Sequence, residues 1–246
     1  MTPGRQAPAP SDVQRFTVAL PENARHLHSV AISPDGRHLA IAVDVAGMRR
    51  LWLRPLESFQ AQPVPASDGA MFPFWSPDSR FVAFFADGKL KQAAIAGGPP
   101  IVICDAPNGR GGSWNRDGVI VFSPDPRLAI QRVAATGGAP ADVTKARGTL
   151  RFPTFLPDGR HFIYLATQVS EDENGIRLGS LDGTEDVRLL PDLSSFSIAA
   201  GRLVFIRNGT LIAQPLDPGT GRLAGDAVPI VDGVPFASVA NYALVT

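Results

Sequence analysis

The sequence predicts an all-β protein, a β-propeller of four-stranded antiparallel blades with five complete blades and the start of a sixth. The first observation is a recurring phrase of apolar strand, tight turn and second apolar strand. The second observation is its spacing, because the turn position recurs every 39 to 43 residues, at Gly36, Ser79, Gly118, Gly159 and Gly201. A period of about 40–45 residues with no helical pattern is typical of propeller blades.

Each repeat opens with two apolar strands that flank the turn. The first strand of each pair is expected to lie innermost and to be the most apolar. The second strand is expected to be buried on both faces, because it is a short, almost continuous apolar run. The five copies of this pair are Ser29–Ala42, Phe72–Phe85, Gly112–Phe122, Phe152–Leu165 and Phe196–Ile206.

A third and a fourth strand complete each repeat. Leu51 and Leu53 alternate with polar neighbours, which is the period of a half-buried strand. Gly-rich turns follow, and then short outer strands such as Pro100–Cys104 and Asp186–Leu190. The predicted third strands are Arg50–Leu56, Lys89–Ile95, Ala129–Val133, Gly175–Leu181 and Thr210–Leu216.

The recurrent aspartates and glycines are predicted to be structural turn residues. Glycine tolerates a positive φ, and aspartate hydrogen-bonds nearby backbone, so both suit tight hairpins. The aspartates fall on separate blades, and the four histidines offer no third and fourth ligand at useful spacing, so no metal site is predicted. The predicted turn residues are Asp35, Gly36, Asp78, Asp117, Gly118, Asp158 and Gly159.

The repeats divide the chain into a flexible leader at residues 1–13 and a propeller at residues 14–246. A strand-like run at Gln14–Leu20 precedes the first blade, and residues 235–246 resemble the opening of a sixth repeat. We therefore expect an incomplete ring and a fragment of a longer protein, since an open propeller exposes strand edges. The predicted repeats are 28–69, 70–110, 111–150, 151–194 and 195–234, followed by the partial repeat 235–246.

Composition narrows the classes of partner. The 23 basic residues balance 23 acidic ones, so no net field favours nucleic acid. No stretch reaches the roughly 20 apolar residues of a membrane helix, and residues 1–12 lack the apolar run of a signal peptide. The single cysteine, Cys104, lies in an apolar run and is expected to be buried and inert. No cofactor is predicted.

Several phrases carry a resemblance to known propellers. The turns at Trp75–Arg80 and Leu156–His161 resemble the WD-like repeats of the TolB propeller family. Longer phrases are similar to the propeller half of bacterial transmembrane serine/threonine kinases, namely Phe84–Lys91, Gly97–Pro100, Gly111–Gly118 and Phe155–Phe162. The resemblance implies a sensor or scaffold on the periplasmic or extracytoplasmic side of the membrane. A cytoplasmic location stays open, because this sequence contains neither signal peptide nor membrane helix. The kinase motifs themselves are not in this sequence.

A ligand site is predicted on the rim where outer strands connect to the next inner strand. Arginine side chains there offer forked donors to a carboxylate or phosphate, against the alternative of ordinary solvated loop charge. The candidate residues are Arg25, His28, Arg110, Arg147 and Arg151. No catalytic residue is predicted: Ser113 lies in a near match to a nucleophile elbow, but on an inner strand rather than a strand-to-helix turn. The tryptophans Trp52, Trp75 and Trp114 are interpreted as packing residues, with ligand stacking as the alternative.

Three functional hypotheses follow. The first is a non-catalytic propeller that binds a protein, a peptide or a small ligand on its loop face or in its central channel, as the sensor or interaction part of a kinase-type receptor. The second is a regulatory propeller that serves a separately encoded peptidase, hydrolase or kinase domain. The third is a hydrolase with an unrecognised site, which a lack of activity on ester, peptide and glycoside panels would exclude.

Overall fold

The computed structural model describes residues 20–168 and 170–234, and in these ranges every regular element is a β-strand. None of these residues forms a helix that meets the length and hydropathy needed to cross a bilayer. The predicted leader, the sixth repeat, and all but the last residue of the strand expected at Gln14–Leu20 lie outside the described residues.

The strands form five antiparallel four-stranded sheets arranged as the blades of a propeller ring, which confirms the predicted fold class. Each blade is a meander, so strands that follow one another in sequence are hydrogen-bonded neighbours.

Blade 1 contains β1 (Ala24–Ile32), β2 (His38–Val45), β3 (Met48–Pro55) and β4 (Gln62–Pro63). Blade 2 contains β5 (Met71–Trp75), β6 (Phe81–Ala86), β7 (Lys89–Ala94) and β8 (Ile101–Asp105). Blade 3 contains β9 (Gly112–Trp114), β10 (Val119–Phe122), β11 (Gln131–Ala134) and β12 (Ala141–Asp142). Blade 4 contains β13 (Thr149–Phe155), β14 (His161–Thr167), β15 (Gly175–Ser180) and β16 (Asp186–Leu190). Blade 5 contains β17 (Phe196–Ala199), β18 (Arg202–Arg207), β19 (Thr210–Pro215) and β20 (Val228–Val231).

The core lies between blades rather than within one layer. Successive residues of a second strand point to opposite faces, so Phe84 packs toward blade 1 while Phe85 packs toward blade 3. In blade 3, Val121 joins the cluster shared with blade 4 and Phe122 joins the cluster shared with blade 2. A fully buried phenylalanine contributes roughly 1.5–3 kcal/mol through its apolar area. The second strands are thus buried on both faces, as predicted.

The innermost strands of blades 1 and 3 differ from the prediction, because they are less buried than the second strands of the same blades. In β9 every residue is half-buried, and in β1 one residue of nine is buried, whereas β2 and β10 are mostly buried. The inner strand β5 of blade 2 is itself mostly buried. The physical reason is that the inner strands face the axis of the ring, where the chain leaves open space. Their side chains therefore need not be the most apolar of the blade.

Candidate functional site

A cavity of about 780 Å³ lies at the centre of the ring, at the end where the first hairpin turn of each repeat is located. We call it the central cavity. The inner strands of all five blades contribute to its wall, and a volume of this size falls in the range of small-molecule and peptide sites. The apolar part of the wall consists of Val30, Ala31, Ile32, Pro34, Pro73, Phe74, Trp75, Pro77, Trp114, Phe155, Leu156, Pro157 and Ile198.

The turns at the cavity mouth in blades 1 and 2 share one hydrogen-bond arrangement. The hydroxyl of Ser76 donates to the carboxylate of Asp78 at 2.6 Å, and that carboxylate accepts the N–H of Arg80 at 3.1 Å. Ser33 donates to Asp35 in the same way. The serine hydroxyl holds the pKa of each aspartate below its ordinary value. Asp35 and Asp78 therefore use their carboxylates within their own turns.

The turn of blade 4 replaces the serine by Leu156 and recruits a histidine instead. The Asp158 carboxylate accepts the N–H of Arg160 at 3.1 Å and the N–H of His161 at 3.0 Å, and it also contacts the His161 ring at Nδ1. The other ring nitrogen of His161 lies 3.2 Å from Glu185. Both carboxylates and the imidazole are thereby held in place within blade 4.

The turn of blade 3, formed by Asn115, Arg116 and Asp117, departs from this arrangement. The side-chain oxygen of Asn115 accepts the N–H groups of Asp117 at 3.1 Å and Val119 at 2.9 Å, while its amide donates to the Gly159 carbonyl at 2.8 Å. In blades 1, 2 and 4 an arginine two residues after the aspartate donates its N–H to the carboxylate, and blade 3 has no arginine at that position. Asp117 lies in this turn, but within the described residues its carboxylate makes no hydrogen bond, and the residue lines the cavity. Gly36, Gly118 and Gly159 have the positive φ expected of turn glycines.

The tryptophans divide into packing and cavity residues. Trp75 is 7% exposed, and its indole N–H donates to the Ala31 carbonyl at 3.0 Å, which ties blade 2 to blade 1. Trp52 packs on the blade 1 face that points away from blade 2. Trp114 lines the central cavity and contacts the Phe81 ring, with 6.2 Å between centroids. It offers an aromatic surface for stacking.

The predicted rim residues lie toward the opposite end of the inner strands from this cavity. Arg25 and His28 belong to β1 and Arg151 to β13, so they lie in strands rather than in loops. The Arg110 guanidinium lies over the Phe72 ring at 5.8 Å and donates to the carbonyls of Asn108 and Gly109. His28 is held by Asp44 at 2.9 Å.

Arg147 belongs to an ion-pair network of blade 4 rather than to a shared rim site. Its guanidinium pairs with Glu173 at 3.1 Å and with Asp186, and Asp186 also accepts bonds from Tyr164 at 2.7 Å and Arg177 at 2.8 Å. Burial and the Asp186 carboxylate raise the pKa of Tyr164 to about 12. The structure thus brings Arg110 next to Arg151, through the bond from the Phe152 N–H to the Arg110 carbonyl, but engages Arg147 elsewhere.

Groups that suggest catalysis have structural contacts. Ser113 lies in β9, where its hydroxyl accepts the N–H of Phe155 at 3.1 Å, and it lines the cavity wall. Cys104 is buried, and burial raises the pKa of its thiol to about 11, as expected of an inert cysteine. Over residues 20–168 and 170–234, no three His, Cys, Asp or Glu side chains are grouped so that they could hold a metal ion.

Sequence reasoning named the central channel as an alternative to the loop face, but it assigned no residues to the channel. It placed the site at the loops that follow the outer strands, and it interpreted Asp117 only as a turn residue. The signal was present in the third repeat, where Asn115-Arg116-Asp117 replaces the Ser-Pro-Asp of blades 1 and 2. Within the described residues, the side chains of Arg116 and Asp117 make no hydrogen bond in that turn, and both residues line the cavity.

Five four-stranded blades around a central cavity define a β-propeller, and comparison with solved structures gives the chain the TolB-type propeller fold. It is similar to a protein assigned as TolB in Agrobacterium tumefaciens, with a TM-score of 0.61 and 17% identity over 85% of this chain and 83% of that one. Against TolB from Acinetobacter baumannii the TM-score is 0.63, with 16% identity over 85% of this chain and 55% of that one. Against an oligogalacturonate lyase from Vibrio parahaemolyticus the TM-score is 0.59, with 16% identity over 85% and 67%. No family profile and no curated protein matches the sequence. At these identities the likeness shows the fold alone.

Proposed function

We propose that this chain is a non-catalytic binding propeller that takes a peptide segment of a partner protein in its central cavity. The observation that carries the proposal is the cavity itself, about 780 Å³ and bounded by the inner strands of all five blades. Apolar wall residues supply contact area, and the hydroxyls of Thr154 and Ser197 supply polar groups that orient a ligand.

The proposed setting follows the resemblance in the repeat phrases. We place the chain on the extracytoplasmic side, as the sensor or interaction part of a kinase-type receptor. The absence of turnover is part of the proposal. The fold does not decide this point, because a lyase shares it. What favours binding is that the Ser113 hydroxyl accepts the backbone N–H of Phe155 and that Asp158 and Glu185 hold the His161 ring within blade 4.

The test blocks the cavity with one bulky side chain. Ser197 lies on β17 and lines the cavity, so Ser197→Trp fills the space where a ligand would lie. Gln60→Trp adds the same ring at an exposed loop position of blade 1 outside the cavity lining. Binding is measured by fluorescence polarisation with pools of fluorescein-labelled random nonapeptides.

The expected result is that the pools bind the wild type and Gln60→Trp equally, and that Ser197→Trp weakens binding at least tenfold. Near-ultraviolet circular dichroism checks that both variants keep the fold. Equal binding by Ser197→Trp would place the peptide site elsewhere on the propeller. Turnover of ester, peptide or glycoside panels by the wild type would contradict the non-catalytic assignment.

A further inference from the structure

The blades contribute different residues to the cavity wall at equivalent turn positions, and blade 3 is the one that differs. Blades 1, 2 and 4 present Pro34, Pro77 and Pro157 to the cavity at the second position of their turns. Blade 3 presents Arg116 at that position. We propose that Arg116 makes the central cavity selective for a carboxylate-bearing peptide, an inference that rests on the proposed peptide-binding function.

The guanidinium of Arg116 is available to a ligand. It is exposed at the cavity mouth, and within the described residues it makes no hydrogen bond, ion pair or ring contact. Other arginines of the propeller are engaged, for example Arg160 with Asp182 at 2.8 Å and Arg207 with Asp192 at 2.7 Å. A guanidinium presents a planar fork of donors that matches the two oxygens of a carboxylate, which gives geometric selectivity as well as charge.

The acidic groups at the cavity determine which hydrogen-bond donor the ligand must carry in addition to its carboxylate. Asp158 is bound by His161 and by two turn N–H groups, so its oxygens are largely used within blade 4. Asp117 lies directly beside Arg116 in sequence, and across residues 20–168 and 170–234 its carboxylate has no hydrogen-bond partner. Arg116 donates hydrogen bonds, and the neighbouring Asp117 accepts them. A peptide suits this pair, because a peptide whose carboxylate binds Arg116 also carries a main-chain N–H close by, which can donate to Asp117. A simple fatty acid or inorganic anion has no such donor.

The surrounding wall strengthens this pair. Trp114, Phe155 and Pro157 line the same cavity, so a peptide that packs against them would displace water from the cavity when it binds. Charge-assisted hydrogen bonds gain strength where the surroundings are less polar than water. A peptide can supply the carboxylate from an acidic side chain or from its C-terminus.

The experiment uses fluorescein-labelled nonapeptide pools with the central residue fixed as Glu or Gln, each synthesised with a free or an amidated C-terminus. Arg116→Gln removes the charge. Arg116→Pro places there the residue that blades 1, 2 and 4 carry, and in the part of the chain that the structure describes the Arg116 N–H donates no hydrogen bond that proline would remove. Arg37→Gln is the matched control, because Arg37 is an exposed turn arginine of blade 1 outside the cavity lining.

We expect the wild type to bind the better carboxylate pool at least tenfold more tightly than the Gln-amide pool, about 1.4 kcal/mol. A preference for Glu pools identifies a side-chain carboxylate, and a preference for free-acid pools identifies a C-terminus. Either preference should fall below twofold in both Arg116 variants and persist in Arg37→Gln. Equal binding of all pools by the wild type, or a preference that survives in Arg116→Gln, overturns this inference and leaves the proposed function standing. Failure of every pool to bind the wild type overturns the proposed function as well.

Discussion

The turns of blades 1 and 2 at the central cavity depend on single serine hydroxyl groups that lie close to aspartate carboxylates. In blade 2, Ser76 is 2% exposed, and its hydroxyl accepts the Phe81 N–H at 2.9 Å while donating to Asp78. Because the hydroxyl stabilises the charged carboxylate only in the folded state, the pKa of Asp78 is lowered. Such a group stabilises the fold above its ordinary pKa, and the contribution disappears as the pH falls through the lowered value.

Ser76→Ala should therefore lower the free energy of unfolding by about 1–2 kcal/mol at neutral pH, through the lost hydroxyl contacts. The difference from the wild type should narrow at about pH 3, which lies below the ordinary aspartate pKa and closer to the lowered pKa of Asp78. Urea unfolding at the two pH values measures both quantities. In an Asp78→Asn background the cost of Ser76→Ala should not change with pH, and an equally pH-dependent cost there would show that another carboxylate is responsible.

At the scale of elements, the inner strand of blade 3 is shaped by the aromatic rings of its neighbours. The rings of Phe72 in blade 2 and Phe152 in blade 4 meet edge to face at 5.7 Å, across the chain of blade 3. A Cβ atom at Gly111 would lie 2.9 Å from the Phe152 ring, and one at Gly112 would lie 2.9 Å from the Phe74 ring. Two consecutive glycines thus let three blades approach each other near the axis.

Gly112→Ala should destabilise the propeller by about 1–3 kcal/mol, because the added methyl group would also lie 3.0 Å from the Val121 carbonyl and the strand has no room to shift. Gly219→Ala is the matched control. A Cβ atom there would have its nearest neighbour, an oxygen of Asp217, at 3.5 Å, so the change should stay within about 0.5 kcal/mol. Thermal and urea unfolding of the two variants provide the comparison. Equal stabilities would mean that the Phe74 ring moves aside at little cost.

The blades were predictable from sequence because their signals are local. Turn chemistry at Asp35-Gly36 and Asp158-Gly159 and the apolar runs of the second strands each depend on a few neighbouring residues. The site was less predictable, since the end at which the axis stays open depends on contacts between distant residues. Phe72 and Phe152 adopt φ angles of 49° and 56° in strand bulges, and no local sequence pattern predicts this backbone conformation. The arginines predicted to share a rim were separated for the same reason, because Asp186 and Glu173 engage Arg147.

At the scale of the whole molecule, the outer edges of the blades differ in how they meet solvent. The outer strands of blades 1 and 3 are only two residues long, and β16 carries Asp186 and Arg188. β20 exposes apolar residues but contains Pro229, which lacks the N–H that a pairing strand would use. β8 has no proline and carries its one charged residue, Asp105, at its last position, while Ile101 is 63% exposed and Val102 is 52% exposed. Exposed apolar edges of this kind are sites where a second chain adds a strand.

We therefore predict that any concentration-dependent association of this chain proceeds through blade 2. Ile101→Lys should reduce association in sedimentation velocity experiments while changing the free energy of unfolding by less than about 0.5 kcal/mol, because the replaced side chain is mostly in solvent. Leu128→Lys makes the same exchange at an exposed loop position of blade 3, where no free strand edge exists, and it should leave association unchanged. If both variants reduce association equally, general charge repulsion rather than the β8 edge controls it. If the wild type sediments as a monomer at every concentration, the short length of β8 is itself sufficient protection.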